Sequence, residues 1–112
     1  MLPAVNRSAV VVTPKQPFVD WLMAADPTSA DIAPDRICVP AIYLLPGCED
    51  DKELERHVRA ASKVIFEEQL DSWYRVRTRW PAVRDFKTFC LWFDYRTDAL
   101  LLDLCDEPLR HD

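Results

Sequence analysis

The residues of this chain whose types and spacing invite chemistry lie between Trp73 and Trp80. Arg75, Arg77 and Arg79 alternate with single residues, and Trp73, Tyr74 and Trp80 flank them. In an extended backbone side chains alternate, so the three guanidinium groups would point one way. Arginine beside aromatic rings is the composition of anion sites, nucleic-acid contacts and protein-interface hot spots. The competing reading is structural. Arg75 caps the carbonyl end of the preceding helix, the other arginines pair with that helix's acids, and both tryptophans fill the core.

A second place for anion binding is Lys15-Gln16, between a predicted strand and a predicted helix. A lysine beside a helix N-terminus joins a cation to free N–H groups. A turn uses the same polar residues for its own geometry. Glu67, Glu68 and Asp71 form a carboxylate group on one helix, and Glu67 and Asp71, four apart, can share a hard cation. Two helical carboxylates are too few for a cage, and a solvated face explains them as well.

Several chemistries are excluded. Gly47 is the single glycine, and loops that cradle phosphates need several. There is no G-x-S-x-G elbow. His57 falls within a predicted helix and His111 in the tail, and no Cys or His pair has zinc-finger spacing. The sequence therefore assigns no catalytic residue, no metal site and no cofactor.

The elements that must position these residues follow from apolar periodicity. Ala9–Val12 reads as a buried strand. Pro17 opens a helix carrying Phe18, Trp21 and Leu22, which ends near Asp26-Pro27. Residues 27–35 are a loop. Arg36–Leu45 is the second strand, and Pro40 means that it starts late or lies at an edge. A helix from about Lys52 to Tyr74, roughly 34 Å long, carries an apolar row through Leu54, Val58, Ala61 and Ile65, continued by Phe66, Leu70 and Trp73. Arg75–Arg84 is irregular, Asp85–Trp92 a short helix, Tyr95–Leu104 the last strand, and Asp106–Asp112 a polar tail. The class is α+β, with about three strands in the order β-α-β-α-α-β around a long central helix. Ala41–Leu45 and Ala99–Leu102 are apolar on both faces, yet one helical layer covers only one. A further helix or a second copy of the chain must meet the other, which predicts a homodimer.

With 112 residues the chain makes one domain, spanning 1–112. No apolar run approaches the roughly 20 residues that cross a bilayer, and the N-terminal stretch has no secretory pattern. Cys38, Cys48, Cys90 and Cys105 form no close pairs, so reduced thiols in a cytoplasmic protein are expected. Cys38, Cys90 and Cys105 read as buried, and Cys48, beside Gly47, as accessible. The net charge of −5 disfavours nucleic acid as a partner of the whole chain. That charge is uneven: residues 49–71 carry eight acids and four bases, and residues 72–96 six bases and two acids.

The segments TPKQPFVDW (13–21), IYLLP (42–46), FEEQLDSWY (66–74), RWP (79–81) and LWFDY (91–95) resemble a family of small bacterial cytoplasmic proteins of unknown function. The resemblance spans most of the chain. It implies a bacterial cytoplasmic setting and carries over no catalytic residue. The expected function is a non-enzymatic interaction module that binds an acidic protein partner through Trp73–Trp80. The alternative is a small enzyme or a phosphate- or carboxylate-binding protein. In that alternative Lys15 and the arginines hold the anion, and Glu67 or Asp71 acts as base.

Overall fold

In the computed structural model, which describes residues 4–111, the apolar run at Ala9–Val12 forms the middle of β1 (Arg7–Pro14). One residue later α1 (Gln16–Ala25) begins, with Pro17 in its first turn, where a missing N–H costs nothing. A 3-10 turn (Pro27–Asp31) and the short α2 (Pro34–Ile37) lead to β2 (Ala41–Pro46). Then come α3 (Asp51–Trp73), a 3-10 turn (Arg77–Arg79), α4 (Phe86–Trp92) and β3 (Phe93–Asp98). The α+β class, the three strands, the long helix and the order of main elements are as expected, with α2 added.

The sheet runs β2-β1-β3, antiparallel throughout. Val10 stands opposite Tyr43 and Thr97, and Val12 opposite Ala41 and Tyr95. Facing residues share a face of the sheet. Val10, Val12, Leu45 and Phe93 are buried under the helices. Val11, Thr13, Ile42, Leu44, Asp94 and Arg96 point to the opposite side. Among the described residues no helix is long and apolar enough to cross a membrane.

Three expectations need correction. β2 takes the late start and the edge position that Pro40 implies, beginning at Ala41, but the stretch before it is no strand: Pro34 starts a helical turn over Arg36 and Ile37. β3 spans Phe93–Asp98 instead of Tyr95–Leu104. Phe93, Tyr95 and Thr97 face inward while Asp94, Arg96 and Asp98 face water, the period of a half-buried strand. Beyond Asp98 pairing resumes only where Ala4 meets Leu102, one residue out of register. Leu100, Leu102 and Leu104 are left exposed. Finally, Ala41–Leu45 is not covered on both faces within one chain. Ile42 is 67% and Leu44 48% exposed, because α1, α3 and α4 all lie on the other side. Residues 106–111 form no regular element, and Asp112 lies outside the described residues.

α3 is fixed at its start by Asp50, whose carboxylate accepts from the Glu53 N–H at 2.7 Å. Its row of Leu54, Val58, Ile65, Phe66 and Leu70 is buried against the sheet and α4. α4 is capped in the same way. Asp85 accepts from the Thr88 hydroxyl at 2.7 Å and its N–H at 2.9 Å, and these hydrogen bonds hold its carboxyl below the usual range. Phe66 has no exposed surface and packs on Trp92 (5.3 Å between ring centroids) and Phe93 (5.1 Å). Phe66→Ala should lower stability by about 3–5 kcal/mol, measured as the shift in a urea unfolding curve.

Candidate functional site

The arginine segment is a built turn, not an extended strand. α3 stops at Trp73, where Tyr74 takes an extended conformation and gives its N–H to the Leu70 carbonyl at 2.8 Å. The chain then tightens over Arg77–Arg79, with the Trp80 N–H bonded to the Arg77 carbonyl at 3.1 Å. In a 3-10 turn successive side chains advance by about 120°. Arg77 and Arg79 therefore diverge and do not align as strand neighbours would.

Two indoles pin this segment. Trp80 is 7% exposed, and its Nε1–H donates to the Tyr74 carbonyl at 2.7 Å. Trp21, on α1, donates its Nε1–H to the Arg79 carbonyl at 2.8 Å. Trp73 and Tyr74 are half-buried and pack on the core. The aromatic residues thus frame the segment, while the guanidinium groups face out. Arg77 stands 5.0 Å from the centroid of the Trp80 ring and Arg84 5.8 Å, so two cations sit against one buried indole.

Among these cations only Arg84 is matched by an acid. Its Nε lies 3.4 Å from Glu67, outside hydrogen-bond geometry, and its Nη1 donates to the Pro81 carbonyl at 2.6 Å. Among the described residues Arg75, Arg77 and Arg79 have no carboxylate partner, and all three are exposed. Arg75 makes no side-chain bond to the last carbonyls of α3.

Lys15 and Gln16 belong to a different place. The Lys15 amine lies 3.4 Å from the Cys90 carbonyl and 3.9 Å from Asp94, beside the junction of α4 and β3. Gln16 donates to Asp20 on its own helix at 2.9 Å. Neither shares a polar contact with Arg75, Arg77 or Arg79. Between Lys15 and Trp21 lies about 9 Å of helix rise. The carboxylates of α3 are also dispersed. Glu67 faces Arg84, Glu68 accepts from the Tyr43 and Ser72 hydroxyls, and Asp71 is solvent-exposed. Burial first, then the bond to Glu68, push the Tyr43 phenol far above its ordinary value. Tyr95, which donates to Glu55, is raised for the same two reasons.

Sequence reasoning overlooked one cluster. Cys48, Glu53 and His57 bring a thiol sulfur, a carboxylate oxygen and an imidazole nitrogen within 4.8 Å of one another. Cys48, expected to be accessible, is buried, whereas Cys105, expected to be buried, is exposed; Cys38 and Cys90 are half-buried, and all four are free thiols. Burial and the Glu53 charge push the Cys48 thiol up. The signal in the sequence was C-x4-E-x3-H, with the acid and the histidine four apart on one helix face.

The frame of the arginine turn is testable through its indole donor. Trp80→Phe keeps an aromatic side chain but shortens it and removes the N–H that holds the Tyr74 carbonyl, so the loss of packing adds to the lost hydrogen bond. It should cost more than about 1 kcal/mol and speed amide exchange at Arg79 and Trp80 selectively, as read by hydrogen exchange.

No family model, curated protein or solved structure matches the chain.

Proposed function

We propose that this chain is a small non-enzymatic binding module that presents Arg75, Arg77 and Arg79 to an acidic protein partner in a cytoplasmic setting. One observation carries the reading. Three exposed guanidinium groups without carboxylate partners stand on a turn whose carbonyls are tied to two indoles. A fixed backbone lowers the ordering cost of binding, and arginine beside tryptophan suits a protein contact. The alternative anion site built with Lys15 is weaker, because Lys15 already rests on Asp94 and the Cys90 carbonyl. Binding of an oligo-glutamate peptide, followed by tryptophan fluorescence, should weaken as salt rises. Arg77→Glu with Arg79→Glu should weaken it about tenfold or more with the circular dichroism spectrum unchanged. Equal affinity in the variant would remove the reading.

A second surface favours self-association. The helix-free face of the sheet holds a groove of about 430 Å³ whose lining includes Val11, Thr13, Pro40, Ile42, Asp94 and Arg96. Ile42 and Leu44 are exposed on β2, and across β1 a row of Asp94, Arg96 and Asp98 stands on β3. With a two-fold axis set between Arg96 and Asp98, each arginine meets the other copy's aspartate, and Arg96, which lies 3.5 Å from its own Asp98, is shared between the two, so a second copy is the occupant we propose. Sedimentation equilibrium at micromolar concentration should give twice the 13.0 kDa chain mass, and Ile42→Lys should restore 13.0 kDa. A wild-type mass of 13.0 kDa excludes the dimer.

A further inference from the structure

We propose that Cys48, Glu53 and His57 form a binding site for a borderline divalent transition-metal ion such as Zn²⁺, with one coordination position open to solvent. The donors are of the right kinds. Thiolate, imidazole and carboxylate are the three side-chain ligands that Zn²⁺ takes, and a thiolate selects against Mg²⁺ and Ca²⁺.

The geometry is close to what the ion needs. Bonds of about 2.0–2.3 Å in a tetrahedron set neighbouring donors about 3.3–3.7 Å apart. The three donor atoms already lie within 4.8 Å of one another, and His57 Nε2 is 3.9 Å from Glu53 Oε1. Small side-chain rotations of Glu53 and His57 close the remaining gap. Both side chains have room to move, being 40% and 28% exposed. They stand four residues apart on the first turns of α3, so the helix holds them side by side.

The thiol is the fixed member. The Cys48 N–H donates to the Ser8 hydroxyl at 3.1 Å, and Ser8, with no exposed surface, donates onward to the Ala99 carbonyl at 3.3 Å. Gly47 lets the turn lie close to the Asn6 carbonyl, where a Cβ would come within 3.3 Å of the oxygen. The thiol itself donates to the Pro46 carbonyl at 3.1 Å, so the sulfur is held at the end of β2 and exchanges that bond for the ion, while the β1 and β2 framework fixes its backbone, the outer support that metal ligands require. An ion pair explains Glu53 and His57 alone, and a buried small residue explains Cys48 alone. Neither explains why all three donors converge. Three protein ligands leave a fourth position for water or another ligand, on the side where Glu53 and His57 meet solvent. On binding, the thiol loses its proton to solvent, and the ion ties the β2–α3 turn to α3. This site is independent of the arginine turn.

Co²⁺ titration of the full reduced chain tests the proposal, with Zn²⁺ as competitor. One equivalent of Co²⁺ should give a thiolate-to-cobalt charge-transfer band that Zn²⁺ abolishes. A variant with Cys38, Cys90 and Cys105 changed to serine should keep the band, and Cys48→Ser should lose it. His57→Gln changes a half-buried side chain. It should weaken Co²⁺ binding more than about tenfold and remove the rise in melting temperature that Zn²⁺ gives the wild type. A band of unchanged affinity in Cys48→Ser or in His57→Gln overturns the proposal, the first by moving the metal to another thiol. Absence of any band in the intact chain overturns it as well.

Discussion

The structure depends on the ring of Phe93. Phe93 ends α4 and begins β3, and its ring centroid lies 5.6 Å from Phe18, 5.1 Å from Phe66 and 5.1 Å from Phe89. Those three rings come from α1, α3 and α4. One side chain therefore joins every main helix to the sheet. Aromatic pairs at these separations contribute about 0.5–1.5 kcal/mol each beyond their buried area, and all four phenylalanines are 0–1% exposed. The arginine turn is downstream of this cluster. Phe18 seats α1, α1 carries Trp21, and Trp21 holds the Arg79 carbonyl.

The division of charge also has a structural basis. The four glutamates of α3 face near neighbours: Glu53 faces His57, Glu55 Tyr95 and Arg59, Glu67 Arg84, and Glu68 Tyr43 and Ser72, while Asp51 and Asp71 stand exposed. Two of these partners are phenols on the outer strands, so the helix is bonded to β2 and to β3 through carboxylate–tyrosine contacts. The basic segment at the far end of α3 is left without acids of its own, although the chain as a whole is acidic.

The three main helices, α1, α3 and α4, were legible in the sequence because their apolar rows repeat with the helical period. α3 shows this best: the row from Leu54 to Leu70 and the acids at its start mark both its face and its beginning. β3 does not follow the more apolar run, Ala99–Leu102. Its true marker was the alternation in Phe93–Asp98, and the break in register past Asp98 is a tertiary event that no local pattern encodes. Trp73, Tyr74 and Trp80 stood out as residue types. That Trp80 points its N–H back at Tyr74, while Trp21 reaches across from α1, depends on packing between segments 58 residues apart. Cys48, Glu53 and His57 went unnoticed for a related reason. Zinc-binding spacings are recognised as pairs, and here the thiol precedes a helix while the other two donors lie on it.

Because α4 passes into β3 without a connecting residue, the two share a phase. Trp92 closes a helix and Phe93 opens a strand, with Lys15 giving its N–H to the Trp92 carbonyl at 2.8 Å. One extra residue at this join would turn Phe93 to the solvent side of the sheet and bring Asp94 to the core side, since strand side chains alternate. The join is the point at which the chain has no tolerance for a change of length. Residues 106–111, which form no regular element, are where insertions belong.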